Sequence, residues 1–210
     1  MSSLSVAAVM NDGPVIPVIV IEELAQAVPM ARALIAGGVR VLEVTLRTPV
    51  ALQAIRLIAD EVPEAIIGAG TLANVADLEA ALKAGARFGV SPGSTVSLLR
   101  AARSAGLPLL PGVMTPGELM SALDEGYGAL KFFPAVPAGG IAMLKALHGP
   151  FAQVRFCPTG GISPATAKDF LALPNVACIG GSWLTPAAAV KSGDWATVTR
   201  LASEAVALRP

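Results

Sequence analysis

The 210-residue sequence contains few charged and few aromatic residues. They make up 14% and 4% of the chain, so its core must be built mainly from Ala, Val, Leu and Ile. The 15 acidic and 15 basic residues cancel, and they form no run of like charge. The sequence therefore lacks the charged surface with which proteins bind nucleic acid or anionic membranes, and small-molecule partners are favoured.

Cysteine and histidine are also scarce. Cys157 and Cys178 lie in apolar stretches typical of strands, so we expect free buried thiols rather than a disulfide. The single histidine, His148, precedes Gly149 and Pro150 and is expected at the end of a helix. These residues form no metal-ligand cluster of recognisable spacing, so no metal site is predicted.

Targeting and membrane segments are not evident. The N-terminal stretch MSSLSVAAVMNDG has no positively charged start, so we expect no secretory signal and a location in the reducing cytoplasm. The longest charge-free stretch, residues 170–190, is interrupted by prolines and glycines. A strand with turns explains that stretch better than a membrane span.

Short apolar runs rich in branched residues recur along the chain, and segments with helical spacing separate them. We count eight runs whose starts lie 20 to 25 residues apart: Val15, Val39, Glu64, Arg87, Leu107, Gly128, Gln153 and Val176. One intervening segment is NVADLEAALKAG, in which Gly85 is a candidate C-terminal cap.

Strands that alternate with helices predict parallel pairing, and eight such units predict a (β/α)8 barrel in the α/β class. We expect one domain over residues 1–210, with a short extra helix at about residues 2–11 covering the N-terminal mouth. An open doubly wound sheet is the alternative. It is disfavoured because no GxGxxG motif follows a first strand.

Unusual polar residues fall at the predicted C-terminal ends of the strands, where barrel enzymes place their chemistry. Lys131 is the one lysine of five that we predict within a strand. Its stem can extend to water from a strand end, or the buried amine can act as a nucleophile that forms a Schiff base with a carbonyl.

Glu43 lies within another apolar strand, where a carboxylate needs a partner or a proton. It can form a structural ion pair with Arg47 or Lys131, and it can transfer protons in Schiff-base chemistry. The two interpretations are compatible.

Two further features suit an anionic substrate. Arg47 either forms a salt bridge with a neighbouring helix or holds a substrate carboxylate in two-point contact, to which Thr71 can add a hydroxyl. The glycine pairs in PTGG (158–161) and GGSW (180–183) follow the seventh and eighth strands, where many barrels bind phosphate through backbone N–H groups. Two such pairs favour a phosphate site over simple turns, and Ser182 supplies a further hydroxyl.

Taken in order, the motifs resemble those of the 2-keto-3-deoxy-6-phosphogluconate (KDPG) aldolases, which also act on 4-hydroxy-2-oxoglutarate (KHG). The resemblance runs from about residue 14 to the C-terminus and rests on EVTLRTP, GAGT, FGVSPG, LPGVMTP, KFFPA, FCPTGGI and GGSW. It implies a cytoplasmic class I aldolase that needs no cofactor and is typically a homotrimer. It also implies that the substrates are phosphorylated 2-keto acids and pyruvate.

The resemblance also implies a role for each matching residue. Lys131 corresponds to the Schiff-base lysine and Glu43 to the general acid/base. Arg47 and Thr71 would hold the carboxylate of the pyruvate half, and Thr159 would lie near the substrate hydroxyls. The phosphate would be held by Gly160, Gly161, Gly181 and Ser182, and the pocket would be walled by Pro92 and Phe133.

The chain departs from the family pattern after KFFPA, where the family often has an acidic residue and this chain has Val136 and Pro137. Three alternatives stay open. The first is an aldolase for the galactonate epimer or another 2-keto acid. The second is a phosphate-binding barrel isomerase. The third is a non-catalytic barrel that binds a phosphorylated metabolite and in which Lys131 and Glu43 form only an ion pair.

Overall fold

The computed structural model describes residues 4–208 and contains alternating strands and helices. The nine strands of this range are β1 Val15–Ile19, β2 Val41–Thr45, β3 Ile66–Gly70, β4 Phe88–Val90, β5 Leu109–Leu110, β6 Gly112–Val113, β7 Ala129–Phe132, β8 Arg155–Pro158 and β9 Ile179–Gly181. Each of the eight predicted runs contains at least one of them.

The helices of the same range lie between the strands or next to the termini. They are α1 Val6–Asp12, α2 Ala27–Ala36, α3 Ala51–Glu61, α4 Val75–Lys83, α5 Val96–Ser104, α6 Pro116–Asp124, α7 Gly140–His148, α8 Pro164–Leu171, α9 Ala187–Ser192 and α10 Trp195–Val206, with a 3-10 turn at Leu24–Gln26 before α2. None of the helices among residues 4–208 is long and apolar enough to cross a membrane.

Local sequence accounts for the helix boundaries, as α4 illustrates. The Asn74 side chain accepts a hydrogen bond from the Asp77 backbone N–H, which satisfies one of the free donors of the first turn. Leu78 and Ala81 face the core. Gly85 follows the helix with a φ of 92°, the left-handed conformation that glycine adopts readily, which confirms its predicted role at the helix end.

The strands pair in parallel, which confirms the α/β class. They form a six-stranded sheet of order β5-β4-β3-β2-β1-β9 and a three-stranded sheet of order β6-β7-β8. The prediction of one continuous eight-stranded barrel differs from these ladders at two places. Only isolated bridges lie beside β8 and β9, and the predicted fifth strand is divided into β5 and β6. Pro111 separates them, and proline has no backbone N–H to continue a ladder.

Helix α1 covers the N-terminal end of the strands. Its Val9 and Met10 are buried and pack into an apolar cluster with Ile16, Val41, Phe88, Val90, Leu110, Cys157 and Cys178. The predicted covering helix is thus confirmed over Val6–Asp12, and residues 2 and 3 of the predicted segment lie outside the described residues. With this end filled by apolar side chains, polar groups in the strand interior lie toward the opposite end.

Close packing between α2 and α10 generates a stability prediction. A Cβ atom added at Gly37 would lie 2.4 Å from the Ala202 Cβ and 2.5 Å from the Thr199 carbonyl oxygen. We expect Gly37→Ala to lower the free energy of unfolding by about 1–3 kcal/mol through overpacking, as measured by urea denaturation. Gly117→Ala is the control because nothing lies within 4 Å of its added Cβ in α6, and it should be stabilising by about 0.5–1 kcal/mol. Equal unfolding midpoints for the two variants would contradict this account.

Candidate active site

The two sheets meet through a buried ion pair in the strand interior. The Lys131 Nζ in β7 donates a hydrogen bond to the Glu43 Oε1 in β2 over 3.4 Å. The two side chains are only 5% and 3% exposed. Of the two partners that the sequence allows for Glu43, the structure selects Lys131.

Small residues flank Lys131 in the strand ladders. In the ladders on either side of β7, Lys131 is in register with Gly112 of β6 and Cys157 of β8, which are both small. The Lys131 Nζ also lies 5.2 Å from the centre of the Phe133 ring, within the range of a cation–π contact. Burial next to one carboxylate and one aromatic face makes this the lysine best placed for chemistry in a water-poor site.

Arg47 and Thr71 lie together at the ends of β2 and β3. The Arg47 Nε donates a hydrogen bond to the Thr71 Oγ1 over 3.3 Å, and the Leu46 N–H donates to the Gly70 carbonyl over 2.9 Å. Thr71 has a φ of 64°, which is uncommon for a β-branched residue and costs of order 1–3 kcal/mol. Such strain concentrates at functional sites, and here the strained residue is the one whose hydroxyl accepts from the Arg47 guanidinium.

A cavity of about 130 Å³ opens at the same end of the strands. Its lining includes many of the predicted site residues, and the full set is Val18, Arg47, Phe133, Thr159, Gly160, Gly161, Ile162, Gly180 and Ser182. The ion pair lies next to it, because Val18 is in register with Glu43 and Phe133 contacts Lys131. Backbone N–H groups, hydroxyls and one guanidinium therefore surround a space adjacent to a buried amine.

Five predicted residues lie outside this lining. Three of them are Lys131 and Glu43, which form the ion pair, and Thr71, which accepts a hydrogen bond from Arg47. The space beside Gly181 is filled by the Trp183 ring, 2.2 Å from where a Cβ atom would lie. Pro92 follows β4, and its backbone packs against Gly112. The structure brings the other predicted site residues to the cavity, to the Lys131–Glu43 pair or, for Thr71, to Arg47 of the cavity lining.

The turn that contains Gly160 and Gly161 is held by the segment after β7. The Ala135 N–H donates to the Thr159 carbonyl over 2.8 Å, and the Val136 N–H donates to the Gly160 carbonyl over 3.0 Å. Gly161 has a φ of 80°, and a Cβ atom there would lie 2.7 Å from the Val136 Cβ. Val136, where the chain departs from the family pattern, therefore packs on the glycine turn.

Sequence reasoning missed three cavity residues, Val18, Ile162 and Gly180. Val18 is an apolar residue in an apolar strand, so its type carries no signal. Gly180 belongs to the GGSW motif, and the motif alone does not distinguish it from Gly181. A Cβ atom at Gly180 would lie 2.2 Å from the Thr159 Oγ1, so this glycine leaves room for the Thr159 side chain.

Both cysteines are free and buried, as predicted. The pKa of the Cys178 thiol is raised well above its ordinary value by its hydrogen bond with Cys157 and by burial. It therefore stays protonated. Within residues 4–208, no group of three or more His, Cys, Asp or Glu side chains is placed to hold a metal ion.

Comparison with known proteins adds to this geometry. A family model described as KDPG and KHG aldolase matches residues 6–201. The KHG/KDPG aldolase of Escherichia coli strain K12 is 58% identical over 202 residues, covering 96% of this chain and 95% of that protein.

Two solved structures are similar along nearly the whole chain. The KDPG aldolase of Legionella pneumophila, solved with pyruvate captured at low pH as a covalent carbinolamine intermediate, has 52% identity and a TM-score of 0.94, with 95% and 97% of the two chains covered. The KDPG aldolase of Zymomonas mobilis ZM4 with 3-phosphoglycerate has 50% identity and a TM-score of 0.91, with 96% and 95% covered.

The buried ion pair generates a prediction about stability. Removing one partner leaves the other charge buried without compensation, so Lys131→Met should lower the free energy of unfolding by about 3 kcal/mol. The double variant Lys131→Met/Glu43→Gln removes both charges and should recover most of that loss. Urea denaturation of both variants measures the difference. A double variant less stable than Lys131→Met would show that the side chains do not interact.

Proposed function

The chain belongs to the KDPG and KHG aldolase family, and on that premise we propose the reaction and the residues that carry it out. The enzyme is a carbon–carbon lyase of the class I type. It cleaves 2-dehydro-3-deoxy-6-phosphogluconate to pyruvate and glyceraldehyde 3-phosphate, and 4-hydroxy-2-oxoglutarate to pyruvate and glyoxylate. The observation that supports this most strongly is the buried Lys131 amine, 3.4 Å from the Glu43 carboxylate and next to a polar cavity.

The reaction begins when the Lys131 ammonium gives a proton to the Glu43 carboxylate. The neutral amine so formed attacks the C2 carbonyl of the substrate to form a carbinolamine. Glu43 moves protons between the nitrogen and the C2 oxygen, through a water molecule, until water leaves and a protonated imine remains. This imine draws electrons toward the nitrogen, which makes the next bond cleavage possible.

Cleavage follows when the Glu43 carboxylate removes the proton of the C4 hydroxyl. The C3–C4 bond breaks, the C4 fragment leaves as an aldehyde, and the bonding electrons form an enamine on the pyruvate half. Protonation at C3 returns the imine, and water hydrolyses it to pyruvate and free Lys131. One carboxylate within hydrogen-bond distance of the amine can serve each of these proton transfers.

The remaining site residues bind and orient the substrate. Arg47 and Thr71 hold the carboxylate of the pyruvate half, which supports attack from a fixed geometry. Thr159 lies near the substrate hydroxyls, and Phe133 walls the pocket, whereas Pro92 packs behind the lining against Gly112. The phosphate is held by Gly160, Gly161, Gly181 and Ser182 through backbone N–H groups and a hydroxyl.

We further propose that the two sheets are parts of one (β/α)8 barrel within a single domain over residues 1–210. The Pro111 carbonyl accepts from the Lys131 N–H over 2.8 Å, so the β5–β6 segment connects both sheets. Isolated bridges join Phe156 to Val176 and Thr159 to Gly180, beside β8 and β9. The family resemblance extends the proposal to a cytoplasmic homotrimer that needs no cofactor.

The reaction is tested by trapping the Schiff base. Incubation with pyruvate followed by borohydride should leave a stable adduct on Lys131, which peptide mass spectrometry would locate. Lys131→Met should give no adduct. Lys145→Met, which changes a lysine of helix α7, is the matched control and should be labelled like the unchanged protein. Glu43→Gln should slow turnover while some adduct still forms.

Several results would overturn parts of this proposal. Absence of an adduct, or an adduct on another lysine, would favour the isomerase or the non-catalytic metabolite-binding barrel. Full turnover by Glu43→Gln would remove that residue from the mechanism. A higher kcat/KM for the galactonate epimer would reassign the substrate while keeping the chemistry.

The phosphate site generates a separate prediction. Ser182 lines the cavity, and loss of one hydrogen bond to a charged phosphate costs roughly 1.5 kcal/mol, which corresponds to about a tenfold higher KM. Ser182→Ala should therefore raise the KM for the phosphorylated substrate about tenfold and leave that for 4-hydroxy-2-oxoglutarate nearly unchanged. Ser192→Ala is the control because the Ser192 hydroxyl donates within its own helix, to the Ala188 and Ala189 carbonyls. Equal effects on both substrates would show that Ser182 does not bind the phosphate.

A further inference from the structure

Gly70, the last residue of β3, lies against the carboxylate of Glu43. A Cβ atom added at Gly70 would lie 2.3 Å from the Glu43 Oε1, 2.7 Å from its Cγ and 2.9 Å from its Cδ. Real Cβ atoms essentially never approach other atoms so closely. The Glu43 carboxyl group thus occupies the volume that any side chain at position 70 would need.

The same oxygen takes part in the ion pair. The Glu43 Oε1 that would lie 2.3 Å from the added Cβ is the atom that accepts the hydrogen bond from the Lys131 Nζ. Both charged side chains are almost fully buried, so a displaced carboxylate has little free space on the other side. The missing side chain at position 70 therefore controls where this oxygen lies relative to the amine.

The position is also linked to the residues proposed to bind the substrate carboxylate. Gly70 is in register with Thr45, and its carbonyl accepts from the Leu46 N–H over 2.9 Å. Thr71, which follows Gly70, accepts the hydrogen bond from Arg47. A shift of β3 relative to β2 would therefore disturb both the ion pair and the Arg47–Thr71 contact.

We propose that Gly70 is a positioning residue whose missing side chain seats the Glu43 carboxylate at its working distance from Lys131. The catalytic consequence of this inference rests on the proposed function. The packing of the Glu43 carboxylate against Gly70 can be measured without turnover. Gly70 is not in a left-handed conformation, so alanine fits the backbone there and the Cβ contact alone is tested.

The experiment is a double-mutant cycle between Gly70→Ala and Glu43→Asp. Gly70→Ala should lower kcat by about 10²-fold, the order expected when a reacting group moves by about 1 Å. Aspartate is one methylene shorter than glutamate, so it leaves free part of the volume that a Cβ atom at position 70 would need. The combined variant should therefore have a kcat no lower than that of Glu43→Asp alone. Its loss in Tm should be smaller than the sum of the losses of the two single variants.

Gly68→Ala is the matched control on the same strand. A Cβ atom there would lie 2.4 Å from the Phe88 ring rather than from Glu43. This variant should lose Tm but keep the pH profile of kcat in the protein that stays folded, and its losses should be additive with those of Glu43→Asp. Gly70→Ala should instead change the pH profile, because Glu43 carries the proton transfers.

Additive losses in both kcat and Tm for the Gly70→Ala and Glu43→Asp pair would overturn the inference. So would a Gly70→Ala variant with unchanged kcat. If the unchanged protein forms no pyruvate adduct, the proposed function fails, and the Tm cycle still decides whether Gly70 seats the carboxylate.

Discussion

The structure depends on one constraint, which is that a buried ammonium must be paired with a buried carboxylate. Lys131 and Glu43 come from different sheets and meet at 3.4 Å in a space that excludes most water. Neither charge would be stable there alone, so the two sheets must face each other across a common interior. The same arrangement leaves an amine and a carboxylate side by side, next to the cavity.

Residues without side chains, or without a backbone N–H, shape the space around this pair. Gly112, in register with Lys131, leaves room for the backbone of Ser91 and Pro92, and Gly70 leaves room for the Glu43 carboxylate. Pro111 interrupts one ladder and allows the chain to pass from one sheet to the other. At the opposite end, α1 and the strands fill the interior with apolar side chains, so the buried ion pair and the cavity lie toward the other end.

Much of the fold could be predicted because a buried parallel strand leaves a continuous apolar run, and Lys131 was recognisable as a charge within such a run. The division of the fifth strand was harder to predict, since a proline can lie at the end of a strand as well as between two ladders. The partner of Glu43 could not be derived from sequence, because Arg47 and Lys131 were both candidate partners. Only the three-dimensional structure shows that Lys131 forms the ion pair. The close approach of Gly70 to Glu43 could not be predicted for a related reason, since the two residues are 27 positions apart in the sequence.

The central claim is that Lys131 and Glu43 act together on the pyruvate half of the substrate. It is tested most directly by following deuterium exchange from solvent into the pyruvate methyl group by NMR, because this exchange requires both enamine formation and proton transfer. The account predicts exchange in the unchanged protein, none above background in Lys131→Met and a strongly reduced rate in Glu43→Gln. Exchange at the unchanged rate in either variant would contradict it.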